Sequence, residues 1–199
     1  HILLEQPRVV DLEVETDGVY YVYARGKVLL ATRDAGAAVR CANENLGVVV
    51  DGDLDYIFKR ARSTSQAAIS NLMVNEADAN ASSLVRAISI ILMREGVGIG
   101  VSDLSATGQT PLQIMQGALK EYTVLELKNC SVDEVLYFIN QGTPVVARTG
   151  ADKAVLLTGY TSNTVSYYDP ASKQNRTMSY EDIELLLAAG DNYFIAYVK

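Results

Sequence analysis

The groups able to do chemistry in this chain are few, and their types and spacing narrow what they can do. Histidine occurs once, as His1, and cysteine twice, as Cys41 and Cys130. Two thiols without imidazoles near them make no zinc set, and their separation is not that of a redox pair. Cys41 falls at the margin of an apolar helical face and reads as a small packed side chain. Cys130 directly precedes a helix cap at Ser131, where a hydrophobic staple onto Val135 outweighs a reactive thiol, since no histidine is placed to deprotonate it. Asp51, Asp53 and Asp55 have the one-three-five spacing of a calcium loop, but Tyr56 replaces its glycine and Arg62 its bidentate glutamate, so an acidic turn is expected. In Gly96-Val97-Gly98-Ile99-Gly100 the next residue is Val101 instead of the third glycine of a dinucleotide fingerprint, and the run follows a helix. Neither a cofactor nor a metal site is expected.

Composition excludes further classes. The 199 residues carry a net charge of −7, with 49% hydrophobic and 21% charged residues, which is the balance of a globular protein with a real core. A pI near 4.7 argues against nucleic acid, whose binders carry a basic stripe. Lys59, Arg60 and Arg62 read as a solvated strand edge. No apolar run nears the roughly 20 residues that span a bilayer. Beginning at His1, the chain reads as an excised segment, with membrane contact expected only through a segment outside it.

The elements that must position any site divide near residue 63. After an extended segment over 1–17, the runs Val19 to Tyr23 and Val28 to Ala31 flank a turn and predict a hairpin. Ala35, Ala38, Val39, Ala42 and Leu46 share one helical face, and Gly47 is placed to end that helix in a left-handed turn. With strands at Val48 to Val50 and Tyr56 to Phe58, residues 18–62 form a small β-β-α-β-β module. Residues 63–78 have linker composition. In 79–199, Asn80 to Arg94 predicts a helix apolar almost all round, except for a stripe at Ser82, Arg86 and Ser89, and therefore buried. A second helix starts at Thr110-Pro111, a strand covers Val124 to Leu127, and Ser131 with Glu134 forms a capping box. Strands at Val145 to Arg148, Ala154 to Tyr160 and Val165 to Tyr168, a helix from Ser179 to Gly190 and a strand at Tyr193 to Val198 complete an α+β domain.

The order Ala79-Asn80-Ala81-Ser82-Ser83-Leu84, the buried helix, Gln141-Gly142-Thr143-Pro144-Val145-Val146-Ala147, Lys153-Ala154-Val155-Leu156-Leu157-Thr158-Gly159-Tyr160 and Tyr168-Asp169-Pro170 resembles the bacteriocin-processing cysteine peptidase-like family, a branch of the papain-like fold. The resemblance implies a nucleophilic Cys at the start of the buried helix, a His opening the strand that ends Thr-Gly-Tyr, an Asp before Pro that orients it, and a Gln ahead of the Cys. Position by position, the nucleophile falls on Ala79, or Asn80 one residue on, and the histidine on Lys153. Asp169 matches the orienting acid, and Asn75 is the amide nearest the missing glutamine. The first module more weakly resembles SPOR-like modules that precede papain-like domains in clostridial surface proteins, which implies a Gram-positive, extracellular context.

A methyl and an ammonium group cannot replace a thiolate and an imidazole. The expectation is therefore a non-catalytic papain-like pseudo-peptidase, a binding or structural module of a bacterial cell-surface protein, whose partner is a peptide or cell-wall component. Ala79, Asn80, Lys153 and Asp169 mark the degenerate site, with Ser82, Ser83 and Asn75 as candidate binding groups and the amides of the helix N-terminus available to an anion. An ion pair between Lys153 and Asp169 is expected to fill the vacated position. Two further readings remain: a hydrolase or acyl transferase using Ser82 or Ser83 with Lys153, and a peptide-capture module in the former substrate groove.

Overall fold

The computed structural model describes residues 18–59, 66–70, 72, 74, 80–99 and 101–199. The first unit is a four-stranded antiparallel sheet with one helix. Strands β1 (Tyr20–Ala24) and β2 (Lys27–Thr32) form the expected hairpin. Arg25 and Gly26 both take positive φ, 53° and 73°, the geometry whose twist matches paired strands. Helix α1 (Ala35–Glu44) is capped by the Asp34 side chain on Ala37 N. With β3 (Val48–Val50) and β4 (Tyr56–Lys59), the sheet order is β2-β1-β3-β4. The end of α1 departs from expectation: Leu46, not Gly47, takes the left-handed conformation at φ 54°. Gly47 instead donates to Ala42 O and lies so close to β1 that a Cβ there would meet Tyr23 O at 2.5 Å. The glycine is required by proximity, one position after the turn that needs positive φ.

Within the expected linker, β5 (Ala67–Ala68) pairs with Gly159 and Tyr160, so part of that segment is a strand of the second unit. The second unit has helices α2 (Ser83–Arg94), α3 (Val101–Ala106) and α4 (Pro111–Ala118), then β6 (Thr123–Lys128) and α5 (Val132–Asn140). Strands β7 (Val145–Gly150), β8 (Lys153–Tyr160), β9 (Thr164–Asp169) and β10 (Gln174–Ser179) follow, then α6 (Tyr180–Ala188) and β11 (Tyr193–Val198). Helix α3 and strand β10 were not legible in the apolar pattern; β10 is almost wholly exposed, so it carries no alternation to read. The sheet runs β10-β9-β8-β7-β11-β6, every pairing antiparallel.

Because side chains alternate along a strand, β8 sends Ala154 and Leu156 to one apolar core and Val155 and Leu157 to another. Helix α2 covers the first face, and α5 with α6 the second. Ala87, Ile88, Ile91 and Leu92 of α2 are fully buried, each large side chain contributing about 1.5 to 3 kcal/mol. The helix begins at Ser83, three residues later than the apolar pattern implied, because the Ser82 side chain accepts from Val85 N and caps it there. The core on the α5 side continues into the first unit without a break: Val22, Val39 and Phe58 belong with Leu125, Val135 and Phe138. The Phe58 ring meets Tyr137 edge-on at 5.0 Å, and Gly36 lets α1 approach the end of β6 so closely that a Cβ would lie 2.6 Å from Lys128 O.

Candidate functional site

The start of α2 is anchored to the β7–β8 corner by two hydrogen bonds. Leu84 N donates to Asp152 O at 3.3 Å, and Ala154 N donates to Ser83 Oγ at 3.1 Å. Register pairs Gly150 with Lys153 across that corner, and the adjacent strand β9 ends at Asp169. A cleft of about 540 Å³ opens where these elements meet. Ser82 contributes from the α2 cap, Ser83 and Arg86 from α2, Asp152 and Lys153 from the corner, and Asp169 from β9. The apolar part of its wall comes from Val155, Tyr167 and Leu186.

Four of the residues singled out in the sequence, Ser82, Ser83, Lys153 and Asp169, are thus brought to one place although Ser83 and Asp169 are far apart in the chain. Asn80 is exposed in the turn before the α2 cap. Ala79 and Asn75 lie outside the described residues.

The chemistry inside the cleft differs from expectation at three points. Lys153 and Asp169 do not form an ion pair: the Asp169 carboxylate accepts from Ala171 N at 3.0 Å and Ser172 Oγ at 2.8 Å, closing the turn at Pro170. A short acidic side chain before proline satisfies itself locally, which removes it from the lysine. The helix N-terminus is also less open than a bare one, because Leu84 N and Val85 N are already taken by Asp152 O and Ser82 Oγ. Neither serine hydroxyl hydrogen-bonds the Lys153 ammonium among the described residues, so the nucleophile-and-base pair required for acyl transfer is not assembled.

Arg86 is the residue the sequence reading undervalued. It appeared only as part of a polar stripe, yet it projects from the first full turn of a buried helix into the cleft. Its Nη1 donates to Pro170 O at 3.3 Å, its Nε is buried without a hydrogen-bond partner, and no carboxylate among the described residues pairs with it. An arginine inside an otherwise apolar helix is itself the signal, since such a charge must find a partner.

Neither cysteine lines the cleft. Cys130 is buried beside Val135 in the staple position, its thiol near Gly36 O and Lys128 O. Burial, with the Glu134 carboxylate adding to it, pushes this thiol up to about 12, although Arg40 opposes the shift. It is therefore a packed, unreactive group. In the acidic turn, Asp51 Oδ1 accepts from Asp53 N at 2.9 Å and Asp55 N at 3.0 Å, so the carboxylate that would open a calcium loop caps its own backbone.

No family model and no curated relative matches the chain. Among solved structures, it is similar to a Bacillus anthracis crystal structure described as that of a candidate C39-like peptidase, at 17% identity and a TM-score of 0.59, covering 68% of this chain and 98% of that one. The architecture of antiparallel sheet and helices is therefore that of a C39-like peptidase fold.

Proposed function

We propose that this chain is a non-catalytic papain-like domain that serves as a binding module of a bacterial cell-surface protein, taking an extended peptide segment in the cleft at the start of α2. The observation that carries this reading is the cleft itself: the positions matched to the family's histidine and orienting acid, Lys153 and Asp169, line one open depression with the first residues of α2. An ammonium stands at the imidazole position, and the chain's one histidine is His1. General-base catalysis through Lys153 would require a hydroxyl hydrogen-bonded to its amine, and among the described residues neither Ser82 nor Ser83 makes that bond. The serine hydrolase reading is disfavoured for that reason. Peptide capture agrees with the mixed wall, in which apolar side chains lie beside charged groups. The surface context rests on the resemblance of the first module to SPOR-like units.

The reading is tested by incubating the purified chain with a fluorogenic peptide library and recording amide spectra with the same peptides. Cleavage at the level of the blank, together with saturable shifts at the Ser83 and Ala154 amides, is the expected outcome. Turnover that disappears in Lys153→Ala would replace it with an enzyme.

A further inference from the structure

We infer that the cleft at the start of α2 recognises a carboxylate, with Arg86 as its principal partner and Lys153 beside it. The inference rests on the binding-module reading and names the ligand group that the site would take. Arg86 and Lys153 line the same cleft, and among the described residues neither forms an ion pair. The Arg86 guanidinium has five donors in a fixed fork, of which one is committed to Pro170 O and the Nε proton is buried without an acceptor. A buried donor left unmade keeps its desolvation cost without the bond that would offset it, so a conformer that turns the fork onto an incoming acceptor recovers part of that cost. Of the two acids in the wall, Asp169 is spent on its own turn and Asp152 is exposed, where solvent screens it.

The wall favours a carboxylate over a phosphate. The helix N-terminal amides that would favour a phosphate are in part unavailable, because those of Leu84 and Val85 are occupied. A planar carboxylate matches the arginine fork in a two-bond arrangement, and Val155, Tyr167 and Leu186 supply apolar surface for a side chain next to it. Such a group can come from a peptide C-terminus or from an acidic side chain within a longer segment.

The experiment uses the full chain and three probes: acetyl-Ala-Val-Leu with a free carboxylate, the same peptide as its carboxamide, and acetyl-Glu-Val-Leu carboxamide. Affinities are read from the Ser83 and Ala154 amide shifts, with inorganic phosphate as a fourth titrant. The free carboxylate is expected to bind roughly tenfold or more tightly than its carboxamide, and Arg86→Met to erase that difference, with Arg86→Lys keeping part of it. Recovery by the glutamate peptide assigns the source to a side chain, and no recovery assigns it to a chain end. Equal binding of acid and amide, or phosphate binding as tightly as the acid, overturns the carboxylate assignment while leaving the binding module standing. No binding by any probe overturns both.

Discussion

The two ends of α2 handle charge in opposite ways. At the C-terminal end, Arg94 and Glu95 find their partners within the protein. The Glu95 carboxylate accepts from Tyr197 OH and Tyr122 OH, each at 2.7 Å, and pairs with Arg94, whose Nη2 donates to Gly142 O at 2.8 Å. Near the N-terminal end, Arg86 has one carbonyl and Lys153 no ion-pair partner among the described residues. Both ends belong to the same buried helix packed on the same sheet face, so the contrast does not come from the scaffold. A closed network lowers the cost of keeping charge away from water, whereas the buried Arg86 Nε, left without a partner, remains costly until a ligand supplies the missing acceptor. The closed end is a structural clasp that ties α2 to β11 and the segment before β6. The open end is where binding is expected.

This contrast can be broken by substitution. The largest effect is expected from Glu95→Gln, which removes the carboxylate from two tyrosines and an arginine at once; a loss of about 2 kcal/mol should appear in denaturant melts. Tyr197→Phe deletes one bond to that carboxylate while keeping a fully buried ring, and about 1 kcal/mol is expected by the same measurement. A stabilisation by either variant would show that the clasp costs more than it returns.

Acid sharpens the comparison. Burial tends to raise the Glu95 carboxyl, but hydrogen bonds from Tyr197 and Tyr122 and the Arg94 charge outweigh it, so the net shift is downward. A carboxylate held low in the folded state contributes stability that is fully present above the ordinary carboxylate range and is lost as pH falls through the folded value. The acid limb of stability against pH should therefore be steeper in the wild-type chain than in Glu95→Gln, and parallel limbs would remove Glu95 from the account.

The smallest effects on stability belong to the cleft. Arg86→Met removes a buried unpaired donor and keeps an apolar stem, so stability is expected to stay within about 0.5 kcal/mol of wild type or to rise slightly. Lys153→Ala, at an exposed position, is expected to be neutral in the same melts. A loss above about 2 kcal/mol in Arg86→Met would make Arg86 a structural residue and erase the difference between the two ends.

Much of the architecture was legible locally. The Ser131–Glu134 capping box forms with Ser131 N to Glu134 Oε1 at 2.8 Å, the Thr110-Pro111 start of α4 is present with its own capping box, and Gly96 ends α2 at φ 81°. These are short-range features whose donors and acceptors lie within a few residues of each other. Where reading failed, distant backbone decided: Gly47 answers to the close approach of Tyr23 O and not to a left-handed turn. Ala67–Ala68 is a strand only because β8 extends past Val145 and leaves Gly159 and Tyr160 without β7 opposite them. In the cleft, the positions of Lys153 and Asp169 could be named from order along the chain. Their lack of contact could not, because it depends on whether Asp169 reaches across to β8 or turns back to Ala171 and Ser172.

By itself, the sequence determined which groups could ever reach the site: a single histidine at residue 1, a lysine at the imidazole position, and an apolar helix interrupted by Arg86. Residue identity and periodicity are properties of the chain, and they also set which face of each element is buried. Only the tertiary structure decided which of those groups meet, that the acid is spent on its own turn, that two helix amides are occupied, and that Arg86 faces the cleft with donors to spare. Hydrogen bonds and ion pairs are satisfied within a few ångströms in space, and separation along the chain does not fix which partners come that close.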